Sequence, residues 1–245
     1  MRYICENNKS GIFAKLYFRK GKKMNFFDAN YKSLFYERGA PYYATRKIHK
    51  LLEEGVLSNS GGGDLILEVG AGEGFHVPYV DSNFSKYFMV DISSRNLEPL
   101  ATELQSQGKL EFSVGDGRSL PYEDDKFDRV IFMCTLHHIQ GTMNVLNEAR
   151  RVTKSGGLIS IYLPCDPGLI YRLFRWLILL NRVRKLRLDY GLINAIEHSN
   201  HFDSILKQTK RAFAYDQLDM KYWPLPPFHS WNINICAIIQ IRVVK

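Results

Sequence analysis

The sequence predicts an α/β protein with a doubly wound, mostly parallel sheet, an antiparallel last strand and a helical cap. Three observations support this fold class. Five short apolar runs between residues 65 and 163 alternate with helical stretches, as parallel strands and their crossover helices do. A G-x-G-x-G turn directly follows the first run. A long apolar run at residues 233–244 comes close to the end of the sequence.

The five apolar runs are assigned as strands because they are short, rich in β-branched or aromatic side chains, and bounded by polar residues. They lie at residues 65–69, 87–91, 110–114, 127–133 and 157–163. Helical periodicity occupies residues 94–105 and 142–152. The run at residues 233–244 is long enough for a further strand, which we expect to pair antiparallel with the region around residues 212–222.

The N-terminal region differs in composition from the rest of the chain. Residues 25–54 have a helical pattern rich in aromatic side chains and broken near Gly39-Ala40-Pro41, and residues 58–63 form a linker of small residues. We therefore expect a basic, aromatic helical cap over residues 1–58 and a second domain over residues 59–245.

The second domain is predicted to carry a helical cap insertion at about residues 165–210. Its most distinctive part is a basic amphipathic helix over residues 169–187, on which Arg172, Arg175 and Arg182 lie close together. Such a helix either packs over a ligand cleft with its arginines in water or lies in a membrane interface. We favour the cleft, because the helix has enough apolar residues to cover one.

Charge is distributed unevenly along the chain. The 245 residues include 33 Lys and Arg against 25 Asp and Glu, a net charge of +8. Residues 1–63 carry +7, residues 64–164 carry −5 and residues 165–245 carry +6. An acidic middle with basic ends suggests a core that binds a small ligand and ends that meet phosphate, nucleic acid or an anionic membrane.

Composition argues against several classes of protein. With 45% apolar and 24% charged residues, the chain is neither disordered nor fibrous. Its four cysteines lie far apart without a C-x-x-C pair, which argues against a disulfide framework or a structural zinc site. No run approaches the roughly 20 apolar residues of a membrane-spanning helix. We expect a cytoplasmic protein, with peripheral contact at the inner face of the membrane as the alternative.

Acidic side chains end three successive predicted strands. Glu68 precedes the turn Gly70-Ala71-Gly72-Glu73-Gly74, Asp91 ends the second strand, and Asp116 follows the third. Ligands of open α/β sheets bind beyond the carboxyl ends of the strands. The third glycine comes one residue earlier than in the dinucleotide pattern G-x-G-x-x-G, and Glu73 enters the loop. These carboxylates suit a cationic ligand better than a pyrophosphate.

These motifs resemble the class I S-adenosylmethionine-dependent methyltransferases, in particular the small-molecule enzymes that share one Rossmann-like core domain. The resemblance continues with Leu136-His137-His138-Ile139 and Arg151–Gly157, and it covers about residues 64–164. It implies S-adenosyl-L-methionine as the cofactor and S-adenosyl-L-homocysteine as its product. A weaker likeness to bacterial methyltransferases of surface-polysaccharide synthesis involves residues 165–168, 197–201 and 228–232.

The resemblance also implies roles for individual residues. Asp91 would hold the ribose hydroxyls, Ile92 would pack on the adenine, and Asp116 would accept a hydrogen bond from the adenine amine. Glu68 and the glycine turn would shape the methionine pocket, and the backbone carbonyl of Cys134 would reach the cofactor amine. The implied cofactor-binding residues are Glu68, Gly70, Ala71, Gly72, Gly74, Asp91, Ile92, Asp116, Gly117 and Cys134.

Four histidines are candidates for the general base that a hydroxyl acceptor needs. His137 and His138 follow the fourth strand, where acceptor and cofactor should meet, although the pair could simply line the pocket. The spacing of His198 and His201 would place both rings on one helical face, with Glu197 orienting one of them; a polar cluster at a helix start is the alternative. We expect no metal, because no third ligand accompanies this pair.

The expected activity is methyl transfer to a hydroxyl or amine of a polar small molecule. A sugar of a nucleotide- or lipid-linked glycan precursor is the first choice, as part of polysaccharide biosynthesis. Rings that could stack on the sugar are Tyr42, Tyr43, Trp223 and Trp231.

Alternative functions remain open at this point. The acceptor could be an amphipathic or quinone-like lipid, with the helix at residues 169–187 touching the bilayer. An RNA acceptor comes third: Pro164-Cys165 superficially suits a covalent nucleophile, but the fourth strand ends in Met133-Cys134-Thr135 without the matching Pro-Cys, and no RNA-binding module is recognised. A regulatory protein that binds S-adenosylmethionine without turnover is the non-enzyme alternative, and NAD is the rival cofactor.

Overall fold

The computed structural model describes residues 32–54, 56, 64–81, 83–93, 99–186 and 190–245, except for the side chains of residues 99, 100, 192, 193, 196 and 197. These residues form a seven-stranded sheet in the order β3-β2-β1-β4-β5-β7-β6. The strands are β1 (Leu65–Val69), β2 (Lys86–Asp91), β3 (Leu110–Val114), β4 (Phe127–Phe132), β5 (Thr153–Pro164), β6 (Gln217–Trp223) and β7 (Cys236–Arg242). The predicted α/β sheet is therefore confirmed.

Helices cover both faces of the sheet. They are α1 (Ala40–Glu54), α2 (Pro99–Ser106), α3 (Thr142–Val152), α4 (Leu169–Leu186), α5 (Tyr190–Glu197) and α6 (Phe202–Ala212), with a 3₁₀ turn at Val77–Tyr79. The helix predicted over residues 142–152 is confirmed, and so is the break before Ala40. None of the described helices is long and apolar enough to cross a membrane. The predictions for residues 1–31, 57–63 and 94–98 lie outside the described residues.

Strands β1 to β5 run parallel, and the antiparallel pairing expected between the last strand and residues 212–222 is confirmed. Leu218 pairs with Ile241, and Tyr222 pairs with Ala237. Strand β7 also pairs antiparallel with β5, so it lies between β5 and β6. Strand β5 is longer than predicted, because it begins directly at the end of α3. The strand order reverses between β1 and β4, and a ligand crevice is expected at such a switch point.

Two apolar clusters lie on opposite faces of the sheet. One contains Phe88, Phe127 and Val145 and packs β2 and β4 against α3, while the other contains Leu52 and Tyr87 and packs α1 against the sheet. All five side chains are buried. Near-continuous apolar strands are expected where helices cover both faces.

A buried polar network joins α1 to the sheet and to the glycine turn. Two guanidinium nitrogens of Arg129 donate to Glu53 at 2.8 Å each. The carboxylate of Glu53 also lies 3.0 Å from Nε2 of His76, whose Nδ1 is 2.8 Å from Nδ1 of His49. Burial opposes ionisation of Glu53, but His76 and Arg129 outweigh it and lower its pKa to about 2. Helix α1 is thus held in place as a wall beside the switch point.

Candidate active site

A cavity of about 490 Å³ opens at the carboxyl ends of the parallel strands. Its volume is in the range of small-molecule sites. We call the part formed after β1, β2 and β3 the glycine-loop half; it includes residues 70–73, 75–76, 91–92 and 115–118. We call the part formed after β4 and by α4 and α5 the histidine half; it includes residues 137–140, Tyr171, Phe174, Arg175, Ile178, Tyr190 and His198.

The glycine turn is bent back so that its amides meet the end of β2. Gly70, Gly72 and Gly74 have φ angles of 73°, 55° and 83°, a region that favours glycine. A Cβ on Gly70 would lie 2.2 Å from a methyl carbon of Thr135, so this position is closed to larger residues. The carboxylate of Asp91 accepts hydrogen bonds from the amide of Gly72 at 2.9 Å and from that of Ser93 at 3.0 Å.

The floor of the glycine-loop half combines an exposed apolar side chain with a tight backbone. Ile92 is 71% exposed and lines the cavity. A Cβ on Gly117 would lie 2.8 Å from the side chain of Val69, so a larger residue would force one of them to move. Asp116 is paired with Arg118, whose Nη2 lies 2.6 Å from its carboxylate.

Glu68 lies at the inner end of this half. Its carboxyl accepts a hydrogen bond from the hydroxyl of Tyr87 at 2.8 Å and is almost completely buried. Burial raises the pKa of Glu68 to about 7. A cationic ligand group beside it would favour the ionised form.

Three imidazoles meet in the histidine half. The ring centroids of His137 and His138 are 4.0 Å apart, and the ring of His198 lies 4.4 Å from the first and 5.1 Å from the second. Asn200 holds this arrangement together, because its side-chain amide donates to the carbonyls of Leu136, at 3.3 Å, and of Ile139. The segment after α5 is therefore pinned to the loop after β4.

His198 is oriented by a buried carboxylate. Its Nδ1 lies 2.6 Å from Oδ2 of Asp166, and both side chains are 6% exposed. Burial opposes ionisation of Asp166, but hydrogen bonds from His198 and Asn194 outweigh it and lower its pKa to about 2. An ionised carboxylate only accepts, so Nδ1 of His198 carries the proton. Burial lowers the pKa of His198 despite this partner, which leaves a neutral ring with a basic Nε2.

His137 has a different environment. Burial, followed by the neighbouring imidazoles of His138 and His198, holds the pKa of His137 well below its usual value. Its Nδ1 is buried without a hydrogen-bond partner among the described residues. Buried polar atoms in folded proteins normally have a partner, so this nitrogen is a candidate contact for a bound molecule.

The solved structure of an S-adenosylmethionine-dependent methyltransferase from Thermotoga maritima, described as a possible histamine N-methyltransferase, has the same fold. The TM-score is 0.60 at 16% identity, and the superposition covers 89% of this chain and 96% of that one. Residues 67–161 match the protein family described as a methyltransferase domain. Residues 67–161 therefore form a methyltransferase domain, and the fold is that of an S-adenosylmethionine-dependent methyltransferase.

Curated relatives of this methyltransferase domain come from several bacteria. The uncharacterized methyltransferase YcgJ of Bacillus subtilis (strain 168) is 27% identical over 175 residues, which cover 68% of this chain and 63% of the relative. A demethylmenaquinone methyltransferase of Clavibacter sepedonicus is 31% identical over 99 residues, which cover 40% of each protein. The matched segments thus span less than two thirds of either relative.

The glycine-loop half fits the cofactor of this family. The face of an adenine can pack on the exposed Ile92, and the carboxylate of Asp91 ends β2 where ribose hydroxyls are expected. A Cβ on Gly117 would clash with Val69, so this part of the wall requires glycine. Glu68 supplies an acidic group for the cationic end of S-adenosylmethionine. Gly70, Ala71, Gly72 and Cys134 also line the cavity, whereas Gly74 is not among its lining residues. The individual contacts stay predictions.

The structure separates the four histidines that the sequence analysis proposed. His137, His138 and His198 line the cavity, but His201 is exposed at the start of α6 and is not among the lining residues. The prediction that His198 and His201 share one helical face is wrong, because His198 follows the last residue of α5 and His201 precedes the first residue of α6. The side chain of Glu197 lies outside the described residues.

Sequence reasoning missed the partner of His198, and it did not foresee that His198 joins His137 and His138. Asp166 follows β5, so the same rule that selected Asp91 and Asp116 could have found it. The expectation of no metal rested on a missing third ligand. In the structure, one possible ligand nitrogen from each of His137, His138 and His198 lies within 4.8 Å of the others. The expectation itself stays a prediction.

The structure changes the expectation about stacking rings in the cavity, and it supports the doubt about a covalent cysteine. The aromatic side chains that line it are Phe35, Tyr36, Phe75, Tyr162, Tyr171, Phe174 and Tyr190, and none of the four rings selected from the sequence (Tyr42, Tyr43, Trp223 and Trp231) is among them. Burial raises the pKa of Cys134 and of Cys165 to about 12. Neither thiol is therefore prepared to act as a covalent nucleophile at neutral pH.

The sequence suggested that the arginines of α4 lie in water, but in the structure not all of them do. Arg172 is exposed, whereas Arg182 donates to the carbonyls of Ser33 and Leu34 at 3.0 and 2.7 Å. Arg175 lines the cavity. Helix α4 therefore packs over the cleft, as expected, but it brings a cation into it.

Proposed function

We propose that the protein transfers a methyl group from S-adenosylmethionine to a hydroxyl group of a polar small molecule, with a sugar of a nucleotide- or lipid-linked glycan precursor as the expected class. The observation that carries this proposal is the buried pair of His198 and Asp166, because His198 lines the same cavity as the glycine turn. A hydroxyl must lose its proton on methylation, whereas a neutral amine can attack without a base.

The residues divide the work as follows. S-adenosylmethionine, when bound, supplies a methyl group activated by the positive charge of its sulfur. Nε2 of His198 takes the proton of the acceptor hydroxyl, and Asp166 stabilises the imidazolium that results. His137 offers its unpartnered Nδ1 to the acceptor. Helices α1 and α4 exclude water and hold the acceptor in line, since positioning alone can be worth roughly 7–11 kcal/mol.

The experiment is a methyl-transfer assay with the full chain. Release of S-adenosylhomocysteine is measured with nucleotide-linked sugars, lipid-linked sugars and quinols, and mass spectrometry identifies the methylated atom. We expect an O-methylated product that is lost in His198→Asn and kept in His201→Asn. Calorimetry with S-adenosylhomocysteine and NAD tests the cofactor separately, and binding of NAD alone would contradict the proposal. A chelator should leave turnover unchanged; loss of turnover restored by zinc would contradict the role of His198 as a free base.

A second candidate acceptor is a quinone-like lipid at a membrane surface. It is favoured by the outer face of α4, where Leu173, Trp176 and Leu177 are 49%, 57% and 59% exposed beside the exposed Arg172. The opposite face of the same helix lines the cavity, and four of the matched relatives are named demethylmenaquinone methyltransferases. Apolar and basic side chains on one helix suit an anionic bilayer.

Vesicle flotation distinguishes this candidate. The chain should float with phosphatidylglycerol vesicles and not with phosphatidylcholine vesicles, and Trp176→Ser with Leu177→Ser should abolish flotation. The control Tyr215→Ser removes another exposed aromatic side chain, 90% exposed, from a different surface. Absence of flotation with either lipid would leave the water-soluble sugar acceptor as the proposal.

A further inference from the structure

Arg175 is a buried cation on the wall of the histidine half. Its side chain is 11% exposed. One guanidinium nitrogen donates to the hydroxyl of Tyr171 at 3.0 Å, and another donates to the hydroxyl of Tyr190. The guanidinium carbon also lies 5.0 Å and 4.7 Å from the centroids of these two rings. The two tyrosines hold the charge in one place at the cavity wall.

The charge of Arg175 is only weakly balanced by the protein. The carboxylate of Asp166 lies 3.8 Å from its Nη1, but that carboxylate already accepts from His198 at 2.6 Å and from Asn194 at 3.2 Å. Among the described residues that line the cavity, the acids are Glu68, Glu73, Asp91 and Asp116, all of them at or after the ends of β1, β2 and β3. Among the described lining residues of the histidine half, Arg175 is therefore the only Lys, Arg, Asp or Glu.

A buried guanidinium whose nearest carboxylate is 3.8 Å away still has charge and hydrogen-bond donors to offer an anionic ligand. Its planar donors match carboxylate and phosphate oxygens in pairs, which neutral hydroxyls do not. We propose that Arg175 binds an anionic group of the methyl acceptor, so that the acceptor is an acidic molecule such as a sugar acid or a sugar phosphate. This inference rests on the proposed function for the assignment of the histidine half as the acceptor site.

The geometry also restricts where the anionic group lies in the acceptor. Nδ1 of His198 and Nη1 of Arg175 both lie within 4 Å of the same oxygen of Asp166. The imidazole that takes the proton and the guanidinium that binds the anion are thus neighbours. A single small molecule meets both only if its reacting hydroxyl is a few bonds away from the acidic group.

Binding measurements test the inference without requiring turnover. The full chain is saturated with S-adenosylhomocysteine and titrated by calorimetry with D-glucuronate, glucose 6-phosphate, inorganic phosphate and D-glucose. We expect at least one of the two acidic sugars to bind ten times more tightly than glucose. The first two probes distinguish a carboxylate from a phosphate. Arg175→Met should remove this preference, Arg175→Lys should keep part of it, and the matched control Arg172→Met, on the exposed face of the same helix, should keep it fully.

Three results would overturn the inference: equal binding of acidic and neutral sugars, absence of binding by every probe, or a preference that survives Arg175→Met. A tenfold loss of S-adenosylhomocysteine affinity in Arg175→Met would instead assign the guanidinium to the cofactor carboxylate, and thermal melting shows whether each variant is folded. If acidic sugars bind through Arg175 but no acceptor is methylated, the proposed function fails and the anion site stands.

Discussion

Replacing Asp166 by Asn tests whether the buried pair acts as a unit. The substitution keeps the size of the side chain but removes the charge that lies 2.6 Å from Nδ1 of His198. In the proposed mechanism the imidazole becomes positive as it takes the acceptor proton, and the ionised carboxylate stabilises that charge. In Asp166→Asn the positive ring would form in a buried site without this partner.

The expected cost follows from the geometry. A hydrogen bond to a charged group is worth roughly 1.5–3 kcal/mol, and two unit charges about 4 Å apart interact by about 4 kcal/mol at an effective dielectric constant of about 20. A loss of about 1.5–4 kcal/mol in the transition state corresponds to a fall in kcat of about 10- to 1000-fold. Binding of S-adenosylhomocysteine should not change, because Asp166 is not among the residues lining the cavity.

The assay is a double-mutant cycle on kcat, measured by release of S-adenosylhomocysteine with the acceptor that gives turnover. In the wild type, Asp166→Asn should lower kcat by the full factor of about 10- to 1000-fold. In the His198→Asn background it should lower kcat by less than about threefold, because effects of residues that act as a unit are not additive. Asp203→Asn, an exposed carboxylate on α6, is the control. An equal factor in both backgrounds would refute the reasoning. The pH profile is a second readout: the acid limb of kcat lies below pH 6.5, since burial lowers the pKa of His198, and Asp166→Asn should move it further to acid.

Three further predictions concern stability. Burial raises the pKa of Glu68 from 4.5 to about 7, so the stability that its protonated carboxyl contributes is present below pH 4.5 and is lost as the pH rises through 7. The free energy of unfolding of Glu68→Gln, measured by denaturant titration, should therefore gain roughly 2–3 kcal/mol over that of the wild type between pH 5 and pH 8. A difference that stays constant with pH would contradict this. Gly70→Ala should cost about 3 kcal/mol from its positive φ and its clash at 2.2 Å, whereas Gly108→Ala, with a φ of 72° and open space, should cost about 1 kcal/mol; equal melting temperatures would contradict the packing argument. Arg129→Met should cost about 3–5 kcal/mol because it leaves the carboxylate of Glu53 buried without its bidentate partner, and a neutral effect on the free energy of unfolding would show that the pair is not stabilising.

The sheet and the glycine-loop half were predictable because their sequence signals are local. Each parallel strand is a short apolar run, and the observed bounds of β1 and β3 agree with the prediction. The glycine turn and Asp91 are found within a few residues of a strand end, so the rule about carboxyl ends places them without knowledge of distant contacts. The domain boundary at residues 58–59 stays a prediction.

The histidine half was only partly predictable because its contacts are distant along the chain. His198 meets Asp166 across 32 residues and Asn200 meets Leu136 across 64. Nothing in the local pattern distinguishes Arg175, which enters the cavity, from Arg172, which is exposed. The H-x-x-H spacing suggested a shared helical face, but helix α5 ends at Glu197, before the motif begins.

The sequence by itself determined the fold class, the strand order along the chain and the glycine turn at the cavity, because hydrophobic periodicity and glycine spacing depend on neighbouring residues. Only the tertiary structure decided which imidazole has a carboxylate partner, which arginine is buried and which thiols are inert. Those properties depend on burial and on the charges brought close by packing, and burial is a property of the folded chain. The chemistry of the histidine half therefore belongs to the tertiary structure.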